Sequence, residues 1–88
     1  MSLPPSHQPP ETILYDLHDL GVLVAARRKA LGLTLDEASQ RLGVGRRLLS
    51  ELEHGKRAVG ADTLLQVLNM FGFDVVVRSR SESKSSPN

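Results

Sequence analysis

Aliphatic side chains recur along this chain at three- and four-residue intervals in four blocks, each bounded by helix start and stop signals. Leu17, Leu20, Val24 and Leu31 share one face of a first helix, with Asp16 as its N-cap, Asp19 favourable to its dipole and Gly32 as its stop. Thr34 followed three residues later by Glu37 is a capping box and predicts a short second helix over residues 35–42, ended by Gly43. A third helix, from Arg46 to about His54 and stopped by Gly55, sets Leu49 and Leu52 on one face and Arg46, Arg47, Ser50 and Glu51 on another. The fourth block, residues 61–71, turns Leu64, Leu65, Leu68 and Phe71 inward before Gly72. The pattern then changes, because Val75, Val76 and Val77 are β-branched residues that favour a pleated strand. No second strand candidate exists, and a lone strand leaves its backbone groups unpaired. The economical solution is a two-fold homodimer in which Asp74, Val75, Val76, Val77 and Arg78 pair with the same residues of a second copy.

The two ends do not share this patterning. Residues 1–14 read as a flexible arm carrying Pro4, Pro5, Pro9 and Pro10, and residues 79–88 as a Ser-rich, charged, disordered tail, which leaves one domain over 15–78. In a chain of 88 residues only one small core can be built. Aromatic residues make up 3% of the sequence, so that core is aliphatic and the architecture all-α, four helices packed on one another. With no cysteine, a disulfide framework and thiolate metal sites are excluded. No apolar run approaches the roughly 20 residues that span a bilayer, and the N-terminus lacks the pattern of a signal peptide, so a cytoplasmic protein with no membrane partner is expected.

The net charge of +1 conceals an uneven distribution. Residues 1–26 contain Glu11, Asp16 and Asp19 and no Lys or Arg, whereas Arg27, Arg28, Lys29, Arg41, Arg46, Arg47, Lys56 and Arg57 outnumber Asp36, Glu37, Glu51 and Glu53 in the middle. That excess suits a polyanionic partner, although solvated charged faces are the commoner meaning of such a run. The spacing of its hydrophobic residues sharpens the choice. Residues 35–54 form two short helices joined by Gly43, Val44 and Gly45, a helix-turn-helix in which Gly43 permits the turn, Val44 plugs the elbow and the small Ala38 and Ser39 allow close approach. The second helix then presents Arg46, Arg47, Ser50 and Glu51 outward near its N-terminal end, the end that enters a major groove.

Through A-R-R-K-A-L-G-L-T (26–34) and L-G-V-G-R-R-L-L-S-E-L-E-H-G-K-R (42–57) the chain resembles the Cro and phage-repressor class, whose fold is the lambda-repressor-like helical domain. Within it the chain looks most like HipB-type antitoxins, because a helix ending L-L-Q-V-L-N-M-F-G runs directly into a strand where phage repressors carry a fifth helix. The resemblance implies a nucleoid-associated, sequence-specific repressor acting on a palindromic operator as a homodimer. It also implies a HipA-like kinase toxin as partner and a shared promoter under autoregulation. Base readout falls by this resemblance on Gly45, Arg46, Arg47, Ser50 and Glu51, and phosphate contact on Lys56, Arg57 and Arg41. Arg28 and Glu53 match a structural ion pair of the class. Leu48 could meet a thymine methyl. Leu35 stands where the class often has a phosphate-touching glutamine, and Gly45 where it often has an N-capping Ser or Thr.

Other classes of function find little support. His7, His18 and His54 are scattered, and Ser50 with His54 has the spacing of a hydrogen bond but no carboxylate to orient the imidazole, so no catalytic site, metal or cofactor is expected. Gly43 and Gly45 lack the preceding strand and third glycine of a nucleotide-binding loop. Besides an antitoxin, a stand-alone Cro/C1-type repressor and a helix-turn-helix kept as a protein-interaction module remain open.

Overall fold

The computed structural model describes residues 11–80. Its helices are α1 (Leu17–Ala30), α2 (Leu35–Leu42), α3 (Arg46–Glu53) and α4 (Ala61–Met70). Residues 1–10 of the expected arm and 81–88 of the expected tail lie outside the described residues; residues 11–14 are exposed and neither helix nor strand.

Local chemistry sets the boundaries. Asp16, with extended backbone, accepts the Asp19 N–H at 2.9 Å, and Asp19 in turn accepts the Tyr15 N–H at 3.0 Å, which satisfies donors at the start of α1. Thr34 and Glu37 exchange the two bonds of a capping box, at 3.0 and 2.8 Å, so α2 starts where the pair requires. Gly43 ends α2 in the left-handed region, at φ 71°, a conformation that costs a side-chain-bearing residue energy and glycine almost none.

The helices enclose one core of Leu20, Val24, Ala38, Leu42, Leu49, Leu52, Val67, Leu68 and Phe71. α1 and α2 both pack on α3, and α4 closes over α2. Three expected inward positions are corrected, and one buried position was not expected. Leu17 and Leu31 stand at the first residue and the C-cap of α1 and are 39% and 51% exposed, whereas Leu20 and Val24 in its middle are buried. On α4, Leu65 is 51% exposed and Val67 is fully buried. Leu64, Val67, Leu68 and Phe71 make one stripe at about 100° per residue, and Leu65 stands about 110° from its centre.

Among the described residues there is no strand. Residues 73–80 run without helix or strand, with Val75, Val76 and Val77 exposed. The strand expected over 74–78 is thus not formed within the single chain, which offers it no neighbouring strand. The segment is tied down at its two ends. The Phe73 N–H donates to the Leu68 carbonyl at 2.8 Å while the Arg27 guanidinium lies 4.4 Å over the Phe73 ring. At the far end Arg78 donates to Glu11 at 3.2 Å.

Candidate nucleic-acid interface

The second helix of a helix-turn-helix is useful only if the rest of the domain holds it rigidly, and α3 is held by α2 and α1, with α4 bracing α2. From α2, the turn is closed by the Gly43 N–H to the Gln40 carbonyl and the Val44 N–H to the Ser39 carbonyl, with half-buried Val44 packed on the core. The buried Ser39 hydroxyl donates to the Asp36 carbonyl at 2.9 Å, so the one buried polar side chain in this tight contact is satisfied. From α1, Gly21 brings backbone against the end of α3. A Cβ there would sit 2.4 Å from the Glu53 carbonyl oxygen, far inside van der Waals contact. Arg28, also on α1, grips Glu53 with both arms of its fork, Nε to Oε2 at 2.6 Å and Nη2 to Oε1 at 3.0 Å, and spends Nη1 on the Leu33 carbonyl. The bond to Glu53 outweighs the cost of burial and raises the Arg28 pKa above its ordinary value, so this guanidinium is fixed in the interior and faces no ligand. From α4, Gln66 donates to the Leu42 carbonyl at 3.0 Å and so engages the end of α2.

Gly21 and Gln66 escaped the reading of the sequence. A glycine inside a helix is a sign of close approach, and that signal was present at Gly21. Gln66 gives none, because an exposed polar residue on a helix looks alike whether or not a carbonyl lies within its reach.

On the outward side, Gly45, Arg46 and Arg47 are exposed at the start of α3, and Leu48, Ser50 and Glu51 are half-buried along it. Gly45 supplies no side-chain cap, so the first amides of α3 are left without that partner. Arg41 lies exposed in the last turn of α2, and Lys56 and Arg57 lie exposed after α3. The structure thus brings the expected base-facing and phosphate-facing residues onto the α2–turn–α3 unit and the loop that follows it.

The cations of this surface are not free of one another's counter-ions. Arg46 pairs with Asp36 at 3.2 Å, Arg47 Nε with Glu51 Oε2 at 3.2 Å, and Arg57 Nη1 with Glu51 Oε1 at 3.1 Å. The hydrogen bonds from Arg57 and then Arg47 hold the Glu51 carboxyl below its usual range. The Lys56 N–H donates to the Glu51 carbonyl at 2.9 Å, so Glu51 joins the helix to the loop through backbone as well. Asp36 was not foreseen in this role, because its distance from Arg46 depends on the angle of the turn.

The serine and histidine at i, i+4 do not form a side-chain pair. His54 Nδ1 meets the Ser50 backbone carbonyl at 2.7 Å. Among the described residues no cluster of His, Asp and Glu could hold a metal, and no helix is long and apolar enough to cross a membrane.

Comparison with known proteins agrees with this geometry. A family model described as helix-turn-helix matches residues 24–77. The HTH-type transcriptional regulator y4mF of Sinorhizobium fredii is 35% identical over 66 residues, spanning 75% of this chain and 87% of that protein. Among solved structures, the clp gene regulator ClgR from C. glutamicum is similar with TM-score 0.63 and 32% identity, over 77% of this chain and 85% of its own. HipB in its complex with the O4 20mer superposes with TM-score 0.69 over 81% of this chain and 100% of its own, at 15% identity, a likeness of fold.

Proposed function

The chain belongs to the Cro/C1-type helix-turn-helix family of transcriptional regulators, and from that membership we propose that it is a sequence-specific repressor that binds a palindromic operator as a homodimer. The observation that carries this reading is the exposed pair Arg46 and Arg47 at the N-terminal end of a rigidly supported α3. Each guanidinium can make a bidentate contact to guanine O6 and N7, worth about 1–3 kcal/mol of discrimination. Gly45, Ser50 and Glu51 line the same edge, while Arg41, Lys56 and Arg57 flank it and suit phosphates. In the dimer Asp74 to Arg78 of each copy pair across the axis, and two α3 helices enter successive major grooves about 34 Å apart. Occupation of a promoter by such a dimer excludes polymerase.

The finer reading is an antitoxin that represses its own operon together with a HipA-like kinase toxin. Its support is the likeness of fold to the chain in the HipA–HipB–O2–O3 complex. A stand-alone regulator is the second reading, favoured by the higher identity to y4mF and ClgR. A kinase-like reading frame beside this one, whose product co-purifies with the chain, separates the two.

Fluorescence anisotropy on the chain's own upstream DNA and on scrambled DNA, at two salt concentrations, tests the central claim. Tight, selective and salt-sensitive binding is expected. Arg46→Ala or Arg47→Ala relaxes specificity, whereas Lys56→Ala weakens all sequences alike and flattens the salt dependence. Equal losses on operator and scrambled DNA for all three variants would refute this division of roles, and absence of selective binding would leave a protein-interaction module.

A further inference from the structure

Arg47 is more exposed than the other two ion-paired arginines of the candidate interface, its side chain 89% accessible against 65% for Arg46 and 49% for Arg57, and an arginine so placed ordinarily samples many rotamers. Here it is not left to itself. Its Nε donates to Glu51 Oε2, one helical turn on, and the other oxygen of the same carboxylate accepts from Arg57 Nη1 in the following loop. Glu51 is only 29% exposed, so its carboxylate is anchored from two sides before any ligand arrives. The geometry of a guanidinium matters at this point. With Nε engaged by the carboxylate, both terminal amino groups of Arg47 remain available, and they form an edge able to donate in parallel to two acceptors such as guanine O6 and N7.

We propose that Glu51 is a positioning residue for DNA recognition, holding Arg47 in the orientation in which its terminal nitrogens read a guanine and tying that orientation to the loop that carries Lys56 and Arg57. This deepens the repressor reading above and rests on it. The arrangement places a negative charge close to DNA, where by charge alone it opposes binding to any sequence. Its benefit is confined to sites that present the right base edge, because only there does pre-orientation of Arg47 replace an entropy loss on binding. Glu51 therefore sharpens discrimination rather than raising affinity in general. The ion pair also links the two classes of contact, since movement of the loop on the phosphate backbone displaces the carboxylate that orients the base-reading arginine.

The test is enrichment from a random-sequence duplex pool by the wild-type chain and by Glu51→Ala, Arg47→Ala and the double variant, followed by anisotropy on the wild-type-enriched duplex and on scrambled DNA. The wild type is expected to enrich one guanine per half-site that Arg47→Ala no longer selects, and Glu51→Ala is expected to lose that same guanine. On the enriched duplex each single variant binds about ten-fold more weakly, and the double variant binds no more weakly than Arg47→Ala. On scrambled DNA Glu51→Ala binds as well as the wild type or about three-fold more tightly, since a charge opposing phosphate has gone. Thermal melts of all variants serve as the folding control. Retention of the guanine by Glu51→Ala would overturn the proposal while leaving the repressor reading intact, as would additive losses in the double variant or equal weakening on scrambled DNA. If the wild type enriches no sequence, the repressor reading fails first and this inference with it.

Discussion

Glu53 and Glu51 are two residues apart on one helix and do opposite things with the same carboxylate. Glu53 is 5% exposed and satisfies an arginine that is itself 11% exposed, so Glu53→Gln leaves a nearly buried guanidinium without its counter-charge. The expected cost is about 3 kcal/mol, read as a drop in melting temperature of more than about 10 °C. A change within a few degrees would show that the pair is not needed for stability. Glu37 and Glu51 contribute to the acid limb of stability. Bonds from Thr34 hold the Glu37 carboxyl below its usual value, as those from Arg57 and Arg47 do for Glu51. The folded state thus prefers both groups ionised, and the unfolded chain binds more protons through the range where they titrate. Their stabilisation is fully present above the ordinary carboxylate range and is lost as pH falls through the lowered values. Glu37→Gln is therefore expected to lower the melting temperature at neutral pH and to change it least in acid, so that the fall below about pH 5 is flatter; an unchanged acid limb would count against this role for the capping box.

At the scale of the element, the beginnings of the helices differ in quality. α1 and α2 have side-chain caps, whereas α3 and α4 begin at Gly45 and Gly60, which have none. Both glycines have ordinary extended backbone angles and nothing within 4 Å of where a Cβ would stand. Gly60→Ser and Gly45→Ser should each stabilise the fold by about 0.5–1 kcal/mol, through a new cap and a less flexible unfolded chain. Chemical denaturation measures both, and anisotropy should find DNA binding altered only at position 45. A loss of stability in either variant would contradict the open space around these caps. This difference also explains what was legible in the sequence. Helix limits follow from bonds between residues three apart, so Asp16, Thr34 with Glu37, and Gly43 gave them correctly. The exposure of Leu65 and the burial of Val67 follow from the 100° step of the helix itself, a signal the spacing does carry, whereas the exposure of Leu17 and Leu31 depends on where neighbouring elements pack, which short-range spacing does not encode. The candidate interface divides in the same way. Arg46 and Arg47 were visible as the exposed start of the second helix of a helix-turn-helix, while Asp36 beside Arg46 and the two arginines on Glu51 required the folded turn.

For the whole molecule the open question is assembly. Val75, Val76 and Val77 are 54%, 69% and 96% exposed in the single chain, an unusual run of β-branched residues to leave in water. If the segment pairs across a two-fold axis, sedimentation at micromolar concentration should give a dimer. Val76→Pro, which removes a backbone donor from the middle of that segment, should give a monomer that is still helical. Operator affinity should then fall by about a hundred-fold or more, since each half-site is held by one copy alone. A wild-type monomer would remove the strand-paired dimer and the paired grooves with it.

The contact between Glu11 and Arg78 closes the domain into a loop of chain whose two limits stand side by side. An exposed ion pair of this kind adds little energy, yet it carries topological information. A peptide bridge of a few residues could join these limits, and new termini could be opened in the exposed loop around Arg57 and Ala58, giving a circular permutant with the same packing. For the same reason, a label or second protein spliced on at either limit would hang from one corner of the domain.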